Sequence, residues 1–225
     1  MREGAIQFAG GGRSSPAAFG STTHPVSDAL YNAIEARYRF VVPDEYRRLA
    51  ARGLFTISTP AHASVFYRPG SYLWLHDMEW YALQDIVDFK FQPYHLPGFV
   101  PFAFTAGGDC WCWQPTQTDR RGTRVLCCHH DYEFATVYAP NFHTAMYRQI
   151  LDFCHSSGDD GDIDASAFLR RWATDLADVF PAPWCARLHQ LAGAPARSEQ
   201  ASPIERADIS FEHMDTEIRW MQPRT

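Results

Sequence analysis

Residues 98–114, GFVPFAFTAGGDCWCWQ, constrain the fold more than any other stretch of the chain. Val100, Phe102 and Phe104 alternate along one predicted strand, and a second strand is expected from Asp109 to Gln114. A turn at Thr105-Ala106-Gly107-Gly108 separates them. Successive side chains of a strand point to opposite faces, so period-two patterns flanking a Gly-Gly turn specify an antiparallel hairpin. The hairpin puts Trp111 and Trp113 on one face and Cys110 and Cys112 on the other. Gly107, Gly108 and Asp109 are read as its structural turn. A third strand, Arg124 to His130, is expected to pair with it after a polar loop over 116–123.

Around this β core the period is helical. Ser27 is a good N-cap, and Leu30, Ile34 and Tyr38 follow at helical spacing. Pro43 opens a short helix from Asp44 to Arg52, and Gly53 supplies its stop. Short strands are expected at 54–57, 63–67 and 72–76, while 80–88 fits strand or helix. Asn141 caps a helix whose Phe142, Met146, Ile150 and Phe153 form one stripe. Leu169, Trp172, Leu176 and Phe180 mark another, and a further helix begins near Pro183 with Trp184, Leu188 and Leu191. Residues 193–203 read as a linker. The tail over 204–221, with Phe211, Met214, Ile218 and Trp220, is apolar enough to dock back. Central strands with helices segregated at both ends predict an α+β fold with a mainly antiparallel, possibly mixed, sheet. The expected organisation is a flexible leader over 1–25, an α+β domain over 26–155, and an acidic, mainly helical extension over 156–225 packing on it.

Composition excludes several classes. The chain of 225 residues is 46% apolar, too high for disorder and enough for a real core without staples. Its net charge is −6, with −1 over residues 1–155 and −5 beyond, so the basic clustering that nucleic-acid binding needs is absent. The longest uncharged stretch, 91–108, is broken by Pro93, Pro97 and Pro101, which excludes a regular membrane-spanning helix there. The opening MREGAIQFAGGG has too short an apolar run for a secretory signal, so a soluble cytoplasmic protein is expected.

No chemical motif survives inspection. The six cysteines suit reduced, buried thiols. Cys110-Trp-Cys112 and Cys127-Cys128-His129-His130 lack the spacing of structural zinc pairs, and Cys127 and Cys128 face opposite sides of a strand. A thiol nucleophile needs an oriented histidine, which adjacency in sequence does not provide. Asp160, Asp162 and Asp164 begin like a calcium loop, but Ala165 and Arg171 occupy its required Gly and Glu positions. No metal, cofactor or catalytic residue is expected.

Four segments in order carry a family resemblance. VPDEYRRLAARG (42–53), LWLHDMEWYALQDI (73–86), GFVPFAFTAGGDCWCWQ (98–114), and 124–131 with the helix over 141–155 resemble the SUKH superfamily, of the Smi/Knr type. The resemblance covers about residues 40–155. It implies an α+β domain, and for bacterial members a non-enzymatic immunity protein that binds and neutralises a cognate protein toxin, encoded nearby, in the cytoplasm. Its eukaryotic branch implies the alternative of a regulatory scaffold of cell-wall assembly. A third reading is a zinc or thiol hydrolase built on Cys110, Cys112, Cys127 and His129. For partner binding, the expected residues are the carboxylates Asp77, Glu79, Asp85, Asp88, Asp131 and Glu133. Trp111 and Trp113 are read as core rather than interface.

Overall fold

The computed structural model describes residues 28–54, 75, 78–91, 98–119, 122–156, 165–193 and 214–219. The expected leader, the strands at 55–57, 63–67 and 72–74, the acidic loop, the linker over 194–203, Phe211, Trp220 and Asp77 lie outside the described residues.

Six helices and six strands are described: α1 Asp28–Tyr38, α2 Asp44–Ala51, β1 Glu79–Trp80, α3 Leu83–Val87, β2 Val100–Phe104, β3 Cys110–Asp119, β4 Gly122–Cys128, β5 Phe134–Ala139, α4 Phe142–Ser156, α5 Ala165–Asp175, α6 Ala182–Gly193 and β6 Glu217–Arg219. The strands form one sheet in the order β1-β2-β3-β4-β5-β6. Every neighbouring pair is antiparallel, so the fold is α+β and the sheet holds no parallel pair among the described residues. No described helix is long and apolar enough to cross a membrane.

Local chemistry sets the helix ends. In α2 the Leu54 N–H donates to the Leu49 carbonyl (3.2 Å) and the Gly53 N–H to that of Ala50 (2.9 Å). This double closure requires a left-handed residue, and Gly53 takes φ +73°. Asn141 caps α4: its Oδ1 accepts from the Thr144 N–H at 3.0 Å, worth about 1 kcal/mol against Ala.

The β2–β3 hairpin forms where the alternation placed it, but one of its glycines carries the turn. The Gly108 N–H donates to the Thr105 carbonyl (3.0 Å) and the Thr105 N–H to that of Asp109 (2.9 Å). Gly108 has φ +99°, while Gly107 keeps an ordinary φ. This is a three-residue loop whose last residue leaves the L-allowed region, a standard hairpin solution.

Both faces of the sheet are buried. On one, Trp111, Trp113 and Cys127 join the main core with residues from α1, α2, α4, α5 and α6. Trp113 sits at its centre, 4.5 Å from the Phe102 ring, 5.0 Å from Tyr46 and 6.0 Å from Phe142. On the other face Cys110, Cys112, Leu126, Cys128, Ala135 and Val137 form a second cluster with Tyr81, Phe89, Phe99, Phe104 and Ile218. Here the expected alternation fails. Val100 and Phe102 face the first core, but Phe104 faces the second. The cause is a bulge: Pro101 pairs with Cys112 and Ala103 with Trp111, leaving Phe102 as an extra residue. A proline cannot donate to the ladder, and the irregular register beside it flips every later side chain.

Other expectations are corrected. The span 116–123 is not a polar loop, because β3 continues to Asp119 and β4 begins at Gly122. Residues 79–88 divide into β1 and the single-turn helix α3. A further strand, β5, follows over Phe134–Ala139, with Ala135 and Val137 on the second core and, past a register shift against β4, Ala139 on the first. The C-terminal extension supplies α5 and α6, and its Glu217–Arg219 adds an edge strand to β5. Its helices reach the main core: Trp172 meets Phe153 edge-on at 5.1 Å, and Trp184 stacks on Tyr147 at 4.3 Å.

Candidate functional site

The antiparallel register assembles a polar cluster at one end of the sheet. Cys110 opposes Cys128 and Trp111 opposes Cys127. One step beyond the ladder, Asp109 Oδ2 and His129 Nδ1 lie 3.4 Å apart. Side chains alternate, so Asp109, Cys127 and His129 share one face. One ligand atom from each, a carboxylate oxygen, a thiol sulfur and an imidazole nitrogen, lies within 4.8 Å of the others.

Asp109 is the hub. Its Oδ1 accepts from the His130 backbone N–H at 3.0 Å and lies 2.8 Å from His130 Nδ1. Its Oδ2 lies 3.4 Å from His129 Nδ1. Burial alone would push the Asp109 carboxyl up, but the His130 hydrogen bonds and the neighbouring His129 hold it below its usual range. The same bond to Asp109 raises the His130 pKa, with the Asp131 carboxylate, 3.1 Å from Nε2, adding to it. His129 Nε2 lies 3.4 Å from Thr136 Oγ1. Desolvation raises the Cys127 thiol strongly, and the Asp109 charge adds to that.

The cysteines divide between the faces. Cys110, Cys112 and Cys128 lie in the second core. Burial pushes Cys110 up to about 11 and also raises Cys112 well above the ordinary thiol value, so both are neutral thiols. Cys110 and Cys112 therefore cannot share a metal or a reaction centre with Cys127 and His129.

Beyond the cluster the β4–β5 turn projects into solvent. Tyr132 is 55% exposed, one of two exposed large hydrophobics among the described residues. Its ring stacks on Phe134 at 4.9 Å and meets His129 edge-on at 5.7 Å. Asp131 and Glu133 flank it and are exposed.

The expected partner-binding carboxylates do not form one patch. Asp131 and Glu133 lie on this turn. Glu79 is half-buried on β1, opposite Phe104 at the same end of the sheet. Asp85 lies on α3 and Asp88 at its C-cap, and this segment is held against α1 by Arg37 hydrogen bonds to the Val87 and Phe89 carbonyls. Asp88 also accepts from Gln84 Nε2 at 2.6 Å. Asp77 lies outside the described residues. Sequence reasoning took Asp109 for a turn residue and did not connect it with Cys127 and His129. The signal was there: if Cys110 pairs with Cys128, then residue 109 must oppose residue 129.

An antiparallel sheet packed against helices, with an exposed aromatic and acidic turn at one end, defines an α+β domain. The chain belongs to the SMI1/KNR4 family (SUKH-1), whose model matches residues 25–148. The match stops within α4, so α5, α6 and β6 lie beyond it. No curated protein and no solved structure gives a significant match.

Proposed function

We propose that the protein is an immunity protein: it binds a cognate protein toxin in the cytoplasm and neutralises it one-to-one, without chemistry of its own. Family membership supports the reading, through the toxin-immunity branch that the sequence resemblance implies. The observation that carries it is the β4–β5 turn, where exposed Tyr132 is stacked on Phe134 between Asp131 and Glu133.

A tyrosine already held by a second ring loses little conformational freedom on binding, and such anchors dominate interface energetics. The flanking carboxylates and the net charge of −6 suit a basic toxin, because complementary fields speed encounter. Inhibition then follows from covering the toxin's working surface.

The test is co-expression with the product of the adjacent gene. Rescue of growth and co-purification at one-to-one stoichiometry are expected. Neither rescue nor binding would overturn the reading and favour the regulatory scaffold.

A further inference from the structure

We propose that Asp109, Cys127 and His129 bind a divalent cation of the zinc class through Oδ2, Sγ and Nδ1, leaving a fourth coordination position open to solvent. The inference does not depend on toxin binding.

The donor set is the first argument. One thiolate, one carboxylate and one neutral imidazole balance a charge of +2, and their mixed S, N and O character selects zinc over magnesium or calcium. Three protein ligands with one open position is also a common zinc arrangement.

Geometry is the second. Tetrahedral zinc with bonds of about 2.0–2.1 Å to N and O separates those two ligand atoms by roughly 3.3–3.4 Å. Asp109 Oδ2 and His129 Nδ1 stand 3.4 Å apart. With a sulfur bond near 2.3 Å, the distances to Sγ come to roughly 3.6 Å. The three atoms already lie within 4.8 Å of one another, so the remaining closure is about an ångström of side-chain adjustment.

The supporting contacts are the third argument. Metal-binding histidines and carboxylates usually have their other polar atom engaged, which fixes their orientation. Here His129 Nε2 faces Thr136 Oγ1 at 3.4 Å, which leaves Nδ1 for the metal. Asp109 Oδ1 is taken by His130, which leaves Oδ2. Access is also one-sided. Cys127 is only 6% exposed and lies beneath, while the Asp109 and His129 side chains keep about a quarter of their surface in water.

The experiment is a cobalt titration of the full, reduced chain after treatment with a chelator. Cobalt(II) stands in for zinc and reports thiolate ligation by a near-ultraviolet charge-transfer band. One equivalent is expected to produce that band, and zinc to bleach it. Cys127→Ser should abolish the band while Cys110→Ser, on the opposite face, keeps it. His129→Ala, at a partly exposed position, should weaken binding more than about tenfold with the unfolding midpoint little changed, and Thr136→Val by about tenfold. No charge-transfer band at saturating cobalt would overturn the proposal. So would a band that survives Cys127→Ser, or wild-type affinity in His129→Ala.

Discussion

Arg148 donates from Nη2 to Asp215 Oδ1 at 2.8 Å, joining α4 to the turn that leads into β6 across 67 residues. The same guanidinium donates from Nη1 to the Tyr138 carbonyl at 3.0 Å and lies 4.2 Å over the Tyr138 ring. Asp215 itself takes φ +59°, its N–H donates to the Val137 carbonyl, and the Val137 N–H donates to that of Thr216. One arginine thus holds the final strand on the sheet. Arg148 is largely buried and Asp215 exposed, so the charge pair itself is worth little. The packing and the carbonyl bond matter more. Arg148→Ala is expected to cost about 1–3 kcal/mol and to speed hydrogen exchange at 217–219 before that of β3. Asp215→Asn, which keeps an acceptor, should cost under about 1 kcal/mol. Uniform exchange across the sheet in Arg148→Ala would refute the clamp.

Trp113 is fully buried among aromatic rings, yet its Nε1–H finds no acceptor among the described residues. Trp113→Ala should therefore cost about 3–5 kcal/mol through the cavity it leaves. Trp113→Phe removes the orphaned donor along with the extra ring, so its cost should be less than half of that. Denaturant unfolding of the two variants measures both. Equal losses would show that the indole N–H is satisfied.

The hairpin distinguishes its two glycines. Gly108→Ala places a Cβ at φ +99° and should cost about 1–3 kcal/mol. At Gly107 a Cβ meets only Thr105 Oγ1, at 3.5 Å. Gly107→Ala should fall within about 0.5 kcal/mol of the parent. Reversed thermal-shift results for the pair would mean that the turn has another form.

His143 couples stability to pH. Its ring packs against Trp184 at 5.6 Å, and burial lowers its pKa below the ordinary 6.5, with Glu45 pulling weakly the other way. The folded protein therefore binds fewer protons than the unfolded chain between the depressed value and 6.5. Stability rises with pH across that window and is lost as pH falls through it. His143→Phe should accordingly be less destabilising, relative to the parent, at pH 5 than at pH 7.5. A difference that is constant with pH, or grows in acid, would contradict the assignment.

Tyr132→Ala separates binding from folding. The side chain is exposed, so the unfolding midpoint should hardly move. Affinity for the co-purified toxin should drop by about thirtyfold, an anchor-sized loss of roughly 2 kcal/mol. Unchanged affinity by titration calorimetry would move the contact surface away from the β4–β5 turn.

Legibility in the sequence followed the range of the interactions. The α2 stop at Gly53, the Asn141 cap, the stripe on α4 and the opposite facing of Trp111 and Cys110 depend on residues a few positions apart. Each was readable from spacing. The bulge at Phe102 was not, because Pro101 disturbs a register that exists only between two strands. β6 was not, because three residues of mixed polarity become a strand only against β5. The carboxylates chosen as a group were scattered for the same reason. Asp131 and Glu133 share a turn, while Asp85 and Asp88 lie on a helix and its C-cap, held by Arg37.

By itself, then, the sequence determined the helices α1, α2 and α4 to α6, the central hairpin, the α+β class and the family. These rest on backbone conformation and on side-chain periodicity, both local properties of the chain. Only the tertiary structure decided that Asp109, Cys127 and His129 converge and that Arg148 reaches Asp215. It also divided the cysteines between two cores. Each of those outcomes depends on how distant strands align, and a shift of one residue in register would have turned the same side chains to the other face.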